Sequence, residues 1–137
     1  MSRVQLALNV TDLDAAIAFY GALLDSQPAK VRPGYANFAV ADPPLKLVLI
    51  EGSEGGTLNH LGVEVAGTDE VEGATARLVD HGLPIDERRD ESCCYATQDK
   101  VWVADPDGAR WEVYTVLADA DRMTSDRGDA VPAAACC

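Results

Sequence analysis

Two side-by-side thiol pairs, Cys93-Cys94 and Cys136-Cys137, carry the most reactive chemistry in this 137-residue sequence. Neighbouring cysteines rarely close a disulfide without strain, because their Cβ atoms do not face each other. A secreted framework would also space its cysteines through the chain. Adjacent thiols in a reducing compartment suit capture of a soft, thiophilic ion, or redox chemistry. Gln5, His60 and Glu112 form a second group of an amide, an imidazole and a carboxylate. Taken singly each reads as an ordinary polar residue, and what joins them is a repeat.

Residues 4–10 read as a strand, followed by Leu13, Ala16, Ile17, Phe19, Tyr20, Leu23 and Leu24 at helical spacing, with Thr11 or Asp12 as N-cap. Gln27-Pro28 is expected to end that helix, and strands are expected over 29–32, 35–40 and 45–50. Residues 51–57, with three glycines, read as a linker. The pattern then recurs. A strand over 58–65 precedes a helix capped by Thr68 and closed by His81-Gly82. Strands follow near 85–88, 94–104 and 110–117, the last two joined by the turn Asp105-Pro106-Asp107-Gly108.

Each half is therefore strand, helix, then three strands, which predicts an α+β fold of two βαβββ modules, 1–52 and 57–117, in a single domain 1–117. Gln5 and His60 fall at matching positions of the two opening strands, and Leu47 and Glu112 match in the closing strands. Residues 118–137 lack periodicity and read as a flexible tail, offering little apolar surface to offset ordering entropy.

Composition sets the outer bounds. Apolar residues at 47% support a packed core. Eleven basic against twenty-three acidic residues give a net charge of -12. That sign opposes binding to nucleic acid or anionic membranes. No apolar run approaches the roughly 20 residues that span a bilayer, and no secretory signal core opens the sequence. The expectation is a soluble, cytoplasmic protein, monomeric or homodimeric.

The duplicated βαβββ unit resembles the vicinal oxygen chelate superfamily of glyoxalases, bleomycin-resistance proteins and extradiol dioxygenases. The resemblance implies that the modules form an open, cup-shaped mixed sheet whose first and last strands supply metal ligands. At those positions stand Gln5, His60 and Glu112, with Leu47 as an apolar fourth, so three protein ligands remain. This set is close to a 2-His-1-carboxylate face with one His exchanged for Gln, which suits Fe(II).

Longer words narrow the resemblance. Val4-Gln5-Leu6-Ala7-Leu8-Asn9-Val10, Gly56-Thr57-Leu58-Asn59-His60-Leu61-Gly62-Val63-Glu64-Val65, Cys93-Cys94-Tyr95-Ala96-Thr97-Gln98-Asp99-Lys100-Val101-Trp102-Val103 and Trp111-Glu112-Val113-Tyr114 resemble the C–As bond lyases and their cadmium-induced relatives. The resemblance implies an Fe(II)-dependent dioxygenase that cleaves the carbon–arsenic bond of trivalent organoarsenicals, methylarsenite or aromatic, and releases arsenite. Cys93 and Cys94 would hold the arsenic, with its carbon substituent directed toward the metal, while Tyr95 and Lys100 belong to the substrate loop. Lys100, Arg88 or Arg89 would supply the positive charge that thiolates need in so acidic a chain. The alternative is a thiol-based Cd(II) or As(III) binding protein without turnover. A glyoxalase-like or catechol-cleaving enzyme leaves the adjacent cysteines without a role. For Cys136-Cys137 two readings stand, a terminus with no defined role and a tethered metalloid carrier.

Overall fold

Residues 3–10 alternate in side-chain character and form β1 (Arg3–Val10), and the change to helical spacing at Leu13 starts α1 (Leu13–Leu24). The computed structural model describes residues 2–93 and 95–119. Asp12 caps α1 by accepting from the Ala15 amide at 3.1 Å. A second carboxylate, Glu51, accepts from the Leu13 amide at 2.8 Å, so two of the helix's orphan donors are satisfied. The helix stops before Gln27, because Asp25 takes a left-handed φ of 48° and its amide bonds back to the Gly21 carbonyl.

Three strands follow, β2 (Lys30–Arg32), β3 (Tyr35–Val40) and β4 (Leu45–Glu51), arranged β2-β3-β4-β1. β4 runs parallel to β1, with Gln5 opposite Lys46 and Leu6 opposite Leu47, while β3 is antiparallel to β4. Buried Leu13, Ala36, Phe38, Val40, Leu47 and Leu49 form one core, and Leu6, Leu8, Ile17, Tyr20 and Leu24 pack against it. Leu47 therefore belongs to the face that packs under α1.

The second half repeats the order with β5 (Thr57–Glu64), α2 (Thr68–Asp80), β6 (Asp86–Cys93), β7 (Ala96–Ala104) and β8 (Arg110–Asp119). The fold is α+β, built from two βαβββ modules. The chain divides into two compact units, Arg3–Leu61 and one beginning at Gly62. In the second unit β7 is antiparallel to both β6 and β8, and α2 packs on β7 and β8. Between β7 and β8, Asp105 Oδ1 accepts from the amides of Asp107 at 2.9 Å and Ala109 at 2.8 Å, and Gly108 supplies the positive φ of 88°.

Thr68 does not cap α2. Gly67 occupies that position without a side-chain bond, and the Thr68 hydroxyl donates to Asp99 Oδ2 on β7 at 2.7 Å. A hydroxyl one residue inside the helix reaches the adjacent strand and serves tertiary structure instead. β8 also runs two residues past 117, pairing Ala118 with Thr97 and Asp119 with Ala96. Cys94, and the rest of the expected tail with Cys136 and Cys137, lie outside the described residues. Among the described residues no helix is long and apolar enough to cross a membrane.

Candidate functional site

β1 and β5 each deliver one polar side chain into a buried position. Gln5 Nε2 lies 3.2 Å from His60 Nε2, and both residues are buried. The fifty-five-residue offset of the repeat thus becomes a contact in the first unit. Two ligands about 2.1 Å from one ion and at right angles lie about 3.0 Å apart, close to the 3.2 Å between these two atoms. Turning the Gln5 amide over exchanges Nε2 for Oε1, the donor a metal requires. The donor chemistry of this pair therefore fits a metal. Among the described residues no three His, Cys, Asp or Glu side chains gather as a metal-holding group, so a centre built from them has to draw on another donor such as Gln5.

In the second unit Glu112 is also buried, and its Oε2 accepts from Lys100 Nζ at 3.1 Å. Trp102 stands opposite Glu112 across the β7–β8 ladder and Tyr114 opposite Lys100. The ammonium lies 5.4 Å from the Trp102 ring centre and 5.9 Å from that of Tyr114. Burying a Lys and a Glu is costly unless they are paired, and the two aromatic faces add cation–π attraction. Next to this pair a cavity of about 390 Å³ is lined by Pro84, Ile85, Arg88, Trp102, Ala104 and Arg110, with the Arg110 guanidinium 4.2 Å above the Trp102 ring. Arg110 carries no motif signal, and cross-strand register is what sets Trp102 opposite Glu112.

The sequence match of Leu47 with Glu112 does not survive in three dimensions. Leu47 packs in the core under α1, while on β8 the residue lining the space beside α2 is Val113, together with Ala74 and Arg77. Val113 is thus the counterpart of Leu47, and Glu112 takes the opposite side-chain parity along its strand.

Cys93 ends β6 opposite Ala96, and Tyr95 sits at the tip of the β6–β7 hairpin with a positive φ of 60°, a conformation disfavoured for an aromatic residue. Cys93 and Glu112 align with Ala96 and Trp102 respectively, six positions apart on β7 and so roughly 20 Å along the strand. Register shifts between Arg88 and Glu91 and between Thr97 and Gln98 mark bulges that bend the hairpin. Arg88 is committed to Asp86 at 2.7 Å and Glu91 at 3.1 Å, and Arg89 to Glu87 at 2.6 Å. Hydrogen bonds to Asp86 and Glu87 respectively hold the two guanidinium pKa values above their usual range. Their charge serves these carboxylates. Asn59 is a residue that sequence reasoning passed over, since alternation turns it away from His60, yet its Oδ1 lies 2.7 Å from His60 Nδ1.

This fold and its paired polar strand positions define a class. Residues 3–113 match the family model of the glyoxalase/bleomycin resistance protein/dioxygenase superfamily, and the chain belongs to that superfamily. It is 62% identical over 126 residues to the cadmium-induced protein CadI of Mycobacterium bovis, covering 91% of this chain and 83% of that protein. It is 59% identical over 125 residues to the trivalent organoarsenical cleaving enzyme of Thermomonospora curvata, covering 90% and 83%. In fold it is similar to the Mn(II)-bound glyoxalase from Novosphingobium aromaticivorans, with a TM-score of 0.64, 19% identity, and coverage of 97% of this chain and 46% of that one.

Proposed function

We propose that this protein is a non-haem Fe(II)-dependent dioxygenase that cleaves the carbon–arsenic bond of trivalent organoarsenicals and releases arsenite in the cytoplasm. The observation that carries the reading is the Gln5–His60 contact, two neutral donors at ligand spacing on repeat-related strands. The relative at 59% identity named for cleaving trivalent organoarsenicals supports it. Gln5, His60 and Glu112 would hold the metal, whose contribution when bound is the activation of dioxygen. The thiolates of Cys93 and Cys94 would exchange with hydroxyls on arsenic and hold it by two sulfurs. Lys100 would keep Glu112 charge-balanced and oriented, and Tyr95 would shape the hairpin tip. Holding both reactants in one site converts an improbable encounter into an oriented one.

A second reading has its own support in the relative named for induction by cadmium, at 62% identity. In it the adjacent thiols bind Cd(II) or As(III) without turnover. Anaerobic Fe(II) loading, followed by oxygen and methylarsenite or a trivalent phenylarsenical, separates the two. Arsenite production that is lost in Glu112→Ala and in Cys93→Ser supports the lyase. Wild-type protein that binds the arsenical tightly and releases no arsenite supports sequestration.

A further inference from the structure

We propose that Asn59, Asn9 and Thr57 form a one-way hydrogen-bond relay that holds neutral His60 as the Nδ1-protonated tautomer and so presents its Nε2 lone pair as a ligand. The proposal deepens the metal reading of the Gln5–His60 site and rests on it for the role of that lone pair.

The direction of every bond is forced from one end. The Glu54 carbonyl can only accept, so the Thr57 hydroxyl, 2.6 Å away, donates to it. The Thr57 oxygen then takes its next bond as an acceptor, from Asn9 Nδ2 at 2.9 Å. That fixes the Asn9 amide, and its Oδ1 accepts from Asn59 Nδ2 at 3.0 Å. Asn59 in turn directs Oδ1 at His60 Nδ1, 2.7 Å away. A carbonyl oxygen offers no proton, so the proton on this edge of the ring sits on Nδ1. A neutral imidazole has a single N–H, which leaves Nε2 with its lone pair facing the Gln5 amide nitrogen at 3.2 Å.

The relay starts in an exposed loop and ends at a ring that is 1% exposed. Such an outer hydrogen bond sets which imidazole nitrogen is the donor and holds the ring's orientation. Without it the opposite tautomer would place an N–H where a ligand's lone pair is required. Asn59, Asn9 and Thr57 are therefore positioning residues acting through His60.

The test uses the full-length, metal-free, 15N-labelled chain, whose two histidines give a simple long-range 1H–15N spectrum that reads tautomers directly. A His81→Gln variant assigns the signals. Wild type is expected to show His60 protonated at Nδ1. Asn59→Leu removes the acceptor and is expected to move the proton to Nε2, with Co(II) affinity reduced 10- to 100-fold. Asn59→Asp keeps an acceptor and is expected to retain the Nδ1–H form. Asn9→Leu, which does not bond to the ring, is expected to give a mixture of tautomers because the Asn59 amide is then free to turn over. An Nε2–H signal in wild type, or a tautomer unmoved by Asn59→Leu, overturns the relay. Wild type with the Nδ1–H tautomer but no Co(II) binding overturns the metal site instead, so the two failures are distinguishable.

Discussion

The Lys100 ammonium lies 3.1 Å from the Glu112 carboxylate, with side chains 0% and 3% exposed. Neither charge is open to bulk water, so each depends in part on the other for its stabilisation. Breaking a buried ion pair by removing one member costs about 3–5 kcal/mol. Lys100→Met is expected to lower stability by that amount in urea unfolding of the metal-free protein. A divalent cation bound through Glu112 would replace the lost positive charge, so Co(II) should recover more stability in the variant than in wild type. Equal recovery in both would count against Glu112 as a ligand. The double change Lys100→Met with Glu112→Leu removes both charges and should fall much closer to wild type.

Asp99 ties three elements together. Its Oδ1 accepts from the Asp90 amide at 2.7 Å, at the β6 bulge where Asp90 has φ 49°, and its Oδ2 accepts from Thr68 on α2 at 2.7 Å. Asp99→Ala removes both bonds, and a hydrogen bond to a charged group contributes about 1.5–3 kcal/mol. The expected result is lower thermal stability together with lost hydrogen-exchange protection at Asp90. Retained protection there would show that the bulge is fixed by other bonds.

Gly55 is fixed by contact. A Cβ built there would strike Thr11 Oγ1 and come within 2.8 Å of the Thr11 backbone nitrogen. Backbone cannot swing aside as a flexible side chain can, so Gly55→Ala should destabilise by about 1–3 kcal/mol. Gly52→Ala meets nothing within 4 Å and serves as the control, with a midpoint near that of wild type.

Leu47 provides a check on which strand face carries the chemistry. It is 2% exposed in the core under α1, so Leu47→Ala should cost about 2–5 kcal/mol. Leu47→His buries a polar ring among leucines and should destabilise further without tightening Co(II) binding by the folded fraction. Tighter binding in Leu47→His would place this residue beside the ligands after all.

The sequence by itself determined the two βαβββ modules, a cap at Thr11 or Asp12, the Asp105–Gly108 turn and the matching of Gln5 with His60. These follow from local rules, hydrophobic period, turn chemistry and the offset of a repeat, which a linear reading contains. Only the tertiary structure decided that Leu47 packs under α1, because strand parity is set by which face the helix covers. It likewise decided that Thr68 bonds to Asp99, that Lys100 neutralises Glu112, and that Cys93 aligns six positions from Glu112 along β7. The Asn59–Asn9–Thr57 relay was hidden for the same physical reason. Hydrogen-bond direction depends on atoms contributed by two strands and a loop, and no spacing along the chain encodes which acceptor stands at its end.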